Sequence, residues 1–177
     1  AINYFKIPCF RLRFTVVKKA FAPIVNQHSR ILILGTMPGE KSLELQQYYG
    51  HRGNHFWPIM FSLFNRPFTT DYAARINLLL ENNIALWDVL SHCERQGSAD
   101  SNIQNEVVNN FKAFYHKHPG IQAVYWDSLT AEKLYRKHVG LTPTLRYFQL
   151  PSPSGAYASM NLATKTERWS IILNELK

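Results

Sequence analysis

Cysteine is nearly absent from this chain: Cys9 and Cys93 are its only two. Two are too few for a disulfide framework or for a four-cysteine zinc or iron–sulfur site, and reduced thiols of a cytosolic protein are the expectation. Long hydrophobic runs are missing too. No stretch approaches the roughly 20 apolar residues of a membrane span, and Arg11, Arg13 and Lys18 interrupt any signal-peptide core. A soluble, cytoplasmic protein with no membrane partner is the reading. There is no internal repeat, no low-complexity tract, no Gly-x-x-x-x-Gly-Lys loop and no His/Cys spacing of a metal site, so neither metal nor cofactor is expected. Acidic residues are scarce, 12 against 20 Lys and Arg. The net charge of +8 favours an anionic partner such as nucleic acid or a membrane surface.

What is present is a folded chain. A hydrophobic content of 46% with 18% charged residues is ordinary for a globular protein, and 177 residues fit one domain. Residues 1–20 are assigned to an N-terminal extension. Within it, Phe10, Leu12, Phe14 and Val16 alternate with Arg11, Arg13, Thr15 and Val17, the pattern of an edge strand over Cys9 to Val17 with one basic face. Residues 21–177 form the domain. Its first buried strand is the apolar run Ile31 to Leu34, which enters the Gly/Pro turn Gly35-Thr36-Met37-Pro38-Gly39. Good helix formers follow from Glu40 to Gln47, and then the polar and aromatic cluster Tyr48 to Trp57.

Downstream, the pattern of strand followed by helix recurs. A helix opens near Pro58 and stops at Asn65-Arg66-Pro67; a second covers Tyr72 to Asn82. Ile84 to Leu90 reads as a strand containing one carboxylate, Asp88, taken as loop-fixing. Ser91 to Gln104 reads as a loop, in which Gly97 to Ser101 approaches a phosphate or caps a helix, and Asn105 to His116 as a helix. Ile121 to Trp126 is a strand, Thr130 to His138 a helix, Leu145 to Leu150 the last strand, and Lys165 to Lys177 the closing helix. Four βα units predict an α/β fold with a parallel sheet, helices on both faces and ligand-binding loops at the carboxyl ends of the strands. There, backbone N–H groups of the Gly35–Gly39 turn can converge on one ligand.

Gly35-Thr36-Met37-Pro38-Gly39, with Asn54 nineteen residues after Gly35 in Gly53-Asn54-His55-Phe56-Trp57, resembles the first motif of the mismatch-specific and thymine branches of the uracil-DNA glycosylase superfamily. Pro151-Ser152-Pro153-Ser154 resembles the second motif. Lys41 to Glu44, Gln46 to Tyr49, Ala85 to Leu90 and Leu150 to Ser152 bring the likeness closer to the hypoxanthine-DNA glycosylase, or DNA-deoxyinosine glycosylase, family, over roughly residues 21 to 175. The resemblance implies a three-layer α/β/α sandwich around a four-stranded parallel sheet, and a monomeric, monofunctional enzyme. Its implied reaction is hydrolytic excision of deaminated bases from double-stranded DNA, hypoxanthine before uracil, in base excision repair.

Three departures bear on mechanism. Met37 stands where uracil and thymine enzymes place the Asn or Asp that handles water, so the essential polar residue implied by the resemblance is Asn54. Leu150 replaces the histidine that opens the second motif, and Trp126-Asp127-Ser128 replaces a usual Phe-Asn-Gly. The substrate contacts implied are Thr36, Met37, Pro38, Gly39, Tyr49, His55, Trp126 and Asp127, with Tyr49 as stacking surface and Tyr48 as packing. Of His51 and His55, only one is expected to face the pocket. Lys41, Ser42, Arg52, Ser152 and Ser154 are candidate DNA contacts, and Tyr157 is a candidate wedge. Two other readings use the same residues: a weak or inactive DNA-binding relative, suggested by Met37 and Asp127, and a nucleotide or small-molecule hydrolase.

Overall fold

The computed structural model describes residues 16–176, and the apolar run near residue 31 is its centre. After β1 (Val17–Lys19), β2 (Ile31–Gly35) is buried along its whole length. Helices α1 (Glu40–Leu45), α2 (Phe56–Leu63) and α3 (Tyr72–Glu81) follow, then β3 (Ile84–Asp88), β4 (Leu90–Glu94), β5 (Gln104–Val108) and α4 (Phe111–Lys117). The chain continues through β6 (Ala123–Trp126), α5 (Leu129–His138) and β7 (Arg146–Gln149) to α6 (Leu162–Trp169). Strands β3-β2-β6-β7 form a parallel sheet in that order.

Side chains alternate across a strand, so one sheet builds two cores. Ile31, Ile33, Leu86 and Tyr125 meet Phe56, Met60 and Leu79 of α2 and α3 and Trp169 of α6. Leu32, Leu34, Trp87 and Val124 meet Phe111 and Phe114 of α4 and Ala131 and Tyr135 of α5. Full burial of each Leu or Ile contributes about 1.5–3 kcal/mol. The result is the expected three-layer α/β/α sandwich. From β2 the chain steps to β3 on one side, then crosses to β6 on the other, so the topological switch lies between β2 and β6.

Four expectations are corrected. Ile84 to Leu90 is not one strand: at Val89 the chain leaves the parallel sheet, and β4 pairs with β1 and β5 in a separate antiparallel sheet. The expected loop over Ser91 to Gln104 and helix from Asn105 therefore hold β4, a 3-10 turn at Asp100–Asn102 and β5. β5 is mostly polar and half exposed, with Asn105 at φ +50° and irregular register, so it lacks the clean alternation that marks a strand. The helix begins at Phe111, where the Asn110 side chain accepts from the Ala113 N–H. At the C-terminus, α6 starts earlier than Lys165, capped by Asn161, and gives way at Ser170 to a 3-10 segment. Most of the Cys9 to Val17 expectation lies outside the described residues. β1, which begins at Val17, is an edge strand against β4.

Candidate active site

Strands β2 and β3 end side by side at Gly35 and Asp88, and Asp127 follows directly on the neighbouring β6. A cleft of about 880 Å³ opens there, walled by the loop after β2, the Tyr48–His55 segment, Ser98–Asp100 and the loop after β7. This is the edge at which open α/β sheets bind ligands.

The loop after β2 is built with most of its carbonyls occupied. Val89 and Leu90 donate N–H groups to the carbonyls of Gly35 and Thr36 at 2.8 and 3.1 Å. The buried Arg95 guanidinium donates to the Pro38 carbonyl and reaches Asp100 at 3.4 Å. Ser98 Oγ accepts the Glu40 N–H at 2.8 Å, so the Gly97–Ser101 segment caps a helix start. The N–H groups of Met37 and Gly39 have no partner among the described residues and are available at the cleft wall. Thr36 Oγ1 contacts Ser128 Oγ at 3.3 Å.

Asn54 is fixed in one orientation. Its Oδ1 accepts the N–H of Phe56 at 2.9 Å, at the start of α2, which leaves Nδ2 without a partner among the described residues. The carboxamide therefore meets the cleft as a donor. The next residue, His55, donates its backbone N–H to the Pro153 carbonyl at 2.8 Å, which ties this segment to the second loop. A Cβ on Gly155 would collide with the Gly53 carbonyl, so only glycine permits that approach of the two loops.

Tyr49 has φ +51°, rare for an aromatic residue. Its ring stacks on Phe56 at 3.9 Å and 14°, and its hydroxyl donates to Asp127 Oδ2 at 2.7 Å. Tyr48, by contrast, is buried and sends its hydroxyl to the Ala22 carbonyl at 3.0 Å.

Asp88 and Asp127 are both nearly inaccessible, and both press on Gly35. A Cβ at Gly35 would lie 2.7 Å from Asp88 Oδ1 and 3.5 Å from Asp127 Oδ2. Burial pushes the Asp127 carboxyl up to about 7, against the hydrogen bond from Tyr49, with Asp100 adding to the rise. Burial, then the neighbouring Asp127, holds Asp88 well above the usual carboxylate range. Asp88 Oδ2 has no hydrogen-bond partner among the described residues. A neutral carboxyl both donates and accepts, so this closed end of the cleft can hold a proton. The His55 ring lines the cleft with Nδ1 buried and without a partner among the described residues, and burial, aided by Lys165, lowers its pKa. His51 also lines the cleft, but its Nδ1 accepts the Gly53 N–H at 3.0 Å and fixes the turn.

The structure thus brings together at the cleft Thr36, Met37, Pro38, Gly39, Tyr49, Asn54, His55 and Asp127, with Lys41, Ser42, Ser152 and Ser154. Lys41 pairs with Glu44 at 2.8 Å. Ser42 is buried and accepts the Gly50 N–H at 3.0 Å. Trp126 is placed elsewhere: buried on the far side of β6, it stacks on Tyr147 beneath Arg136 and does not line the cleft. That position follows from the strand, because Trp126 and Asp127 point to opposite faces. Arg52 and Tyr157 are exposed and lie outside the lining. Arg95 and Lys165 belong to the supports of the site without having been singled out, and Asp88, read from the sequence as loop-fixing, and Asp100, within the capping segment, line the cleft itself. Asp88 carried a signal, as a carboxylate ending an apolar strand; buried Arg95 and Lys165 carried none, since long cations are ordinarily exposed.

Comparison with known proteins agrees with this fold. The model of the uracil DNA glycosylase superfamily matches residues 22–177. The chain is 35% identical over 111 residues to a hypoxanthine DNA glycosylase of Methanosarcina barkeri, covering 62% of this chain and 70% of that one. It is 32% identical over 147 residues to the protein of the same name from Methanosarcina acetivorans, covering 80% and 89%. The solution NMR structure of a "putative Uracil DNA glycosylase" from Methanosarcina acetivorans superposes with a TM-score of 0.75 at 30% identity, over 91% of this chain and 99% of that one.

Proposed function

The chain belongs to the uracil DNA glycosylase superfamily, and we propose that it acts as a monofunctional, monomeric hypoxanthine-DNA glycosylase that also accepts uracil. The DNA glycosylase activity follows from the family and from relatives named for it. The base preference rests on those relatives' names and on the cleft. One observation carries the reading. Asn54, locked by the Phe56 N–H, faces the same space as the free N–H groups of Met37 and Gly39 and the serine loop after β7.

A base inside a duplex is out of reach, so the deaminated nucleotide must leave the stack, at a cost of a few kcal/mol that is least for a mispaired base. Stacking on an aromatic ring offsets about 1–3 kcal/mol of this. Tyr49 supplies the ring, braced by Phe56 on one face and by Asp127 at its hydroxyl. Water then adds to the sugar C1′, the glycosidic bond breaks, and its electron pair stays on the base nitrogen, which takes up a proton. Negative charge develops on the base as it departs. The Asn54 Nδ2 and the Met37 and Gly39 N–H groups are donors set in place before the reaction, and one such donor is worth about 10²–10³ in rate. The Met37 side chain contributes no donor of its own; only its backbone N–H takes part. The products, free base and an abasic site, are those of the first step of base excision repair.

The test is incubation with labelled duplexes carrying inosine, uracil, xanthine or a thymine mismatch, followed by alkaline cleavage of abasic sites. Release of hypoxanthine fastest, with slower release of uracil, is expected. Faster release of uracil would overturn the preference, and no release from any duplex would favour a binding protein.

A further inference from the structure

Hydrolysis adds water to C1′, so one water proton needs a base, and few groups at the cleft can serve. Asn54 Oδ1 is taken by the Phe56 N–H, and His51 Nδ1 by the Gly53 N–H, so a neutral His51 ring carries its hydrogen on Nε2. Burial, aided by Lys165, makes His55 a poorer base. The carboxyls lining the cleft are Asp88, Asp100 and Asp127. Asp88 and Asp127 are nearly inaccessible, and burial favours their neutral forms. Asp100 differs on both counts. Its side chain is 31% exposed, and its Oδ1 lies 3.4 Å from Arg95 Nη1, the one ion pair of that guanidinium among the described residues. A guanidinium keeps its charge in proteins, and Arg95 is buried, so the pair requires Asp100 as a carboxylate.

The same guanidinium donates to the Pro38 carbonyl, and Ser98 of the Asp100 segment accepts the Glu40 N–H. Asp100 is thereby tied to the turn that carries the Met37 and Gly39 N–H groups. We propose that Asp100 is the general base of the reaction and that Arg95 is the positioning residue that holds it, as a carboxylate, against this turn. The water oxygen bonds to C1′ as the C1′–N bond breaks, and the electron pair of that bond leaves with the base. One water proton passes to the Asp100 carboxylate and on to solvent, and the departing base nitrogen takes up one proton, so charge balances. The inference rests on the glycosylase reading above. The charged and titratable groups around Asp100 are Arg95, Cys93 of β4, Asp88 at the end of β3 and Asp127 after β6. Burial raises the Asp100 carboxyl from its ordinary value, against the Thr36 hydrogen bond and Arg95, which makes it a stronger base than a free aspartate.

Single-turnover release of hypoxanthine from a saturating inosine duplex is measured against pH for wild type and Asp100→Asn. The wild-type rate should fall about tenfold per pH unit once the carboxylate is protonated, with a midpoint above the ordinary aspartate value of about 3.9. Asp100→Asn keeps the shape and, through its Oδ1, an acceptor for Arg95. It should be slower by about 10²–10⁴ at neutral pH, with duplex affinity retained and the acid limb gone. A purely structural role would lower the rate and leave the acid limb in place. An Asp100→Asn rate equal to wild type, or one that keeps the acid limb, overturns the assignment while the glycosylase reading stands. No release by wild type from inosine, uracil, xanthine or thymine-mismatch duplexes removes both. If Asp100→Asn does not fold, the wild-type profile decides: a rate that stays flat from neutral pH down to about pH 4 overturns the proposal.

Discussion

The hydroxyl of Tyr49 donates a 2.7 Å hydrogen bond to Asp127 Oδ2 and joins a strained turn to the end of the central sheet. Three constraints act on one side chain: the positive φ, the stack on Phe56 and the bond to a buried carboxyl. A residue held this way is pre-ordered for stacking. Tyr49→Phe should keep the ring in place and lower stability by about 1–3 kcal/mol, since a buried carboxyl loses its donor. Tyr49→Ala should also lose stacking and weaken capture of the flipped base by a further 5- to 150-fold, the equivalent of about 1–3 kcal/mol. Urea unfolding and excision kinetics of the two variants separate the effects. Equal excision by Tyr49→Ala and wild type would remove the stacking role.

The buried carboxyls make stability depend on pH in the direction opposite to that of an ion-paired aspartate. Asp127 has a folded-state pKa of about 7, above its ordinary value, so the folded protein binds this proton more tightly than the unfolded chain. The associated stability is full below about pH 4 and is lost as pH rises through about 7, with an upper bound near 4 kcal/mol. Asp88 is shifted the same way, and Asp88 and Asp127 titrate as a pair. His55 works in the opposite sense and Glu106, held down to about 2 first by its Lys137 hydrogen bond, loses its contribution only in acid, so both act mainly below the useful window. The melting temperature should fall with the last part of this contribution, about 1 kcal/mol, between about pH 6.5 and 8 and level off above, and Asp127→Asn should flatten that fall. A wild-type melting temperature that rises across the window would contradict the account.

Gly35 is constrained by side chains, not by its own backbone angle. Gly35→Ala places a methyl group 2.7 Å from Asp88 Oδ1 and should cost about 1–3 kcal/mol, as overpacking does. In an Asp88→Ala background the collision disappears. A double-mutant cycle should therefore show a coupling of about 0.5–3 kcal/mol, and additive losses would place the strain elsewhere.

Much of this architecture was legible because continuous apolar runs mark strands buried on both faces. Ile31 to Leu34, Ile84 to Leu86 and Val124 to Trp126 lie in the parallel sheet, and the Gly/Pro turn after Gly35 lies at its functional edge. The antiparallel sheet was not legible. Leu90 to Glu94 and Gln104 to Val108 are short, polar and irregular in register, and their pairing with β1 depends on contacts distant in sequence. Within the cleft, motif spacing pointed to Asn54 and Tyr49. It was silent on Asp88 Oδ2, Arg95 and Lys165, whose roles come from burial and from which carbonyl each cation meets. Trp126 was placed in the cleft by its neighbour Asp127, and strand alternation sends it to the core.

The central claim is that Asn54 acts through its donor. Its oxygen is already engaged by the Phe56 N–H, so Asn54→Asp keeps that bond and replaces the Nδ2 donor by a charged acceptor oxygen, whereas Asn54→Ala removes the donor without adding charge but also loses that bond, worth about 0.5–1.5 kcal/mol. Single-turnover release of hypoxanthine from a saturating inosine duplex by Asn54→Asp is the direct measurement. The account predicts a rate about 10²–10³ below wild type with nearly unchanged melting temperature and duplex affinity; release at the wild-type rate by a folded Asn54→Asp would contradict it.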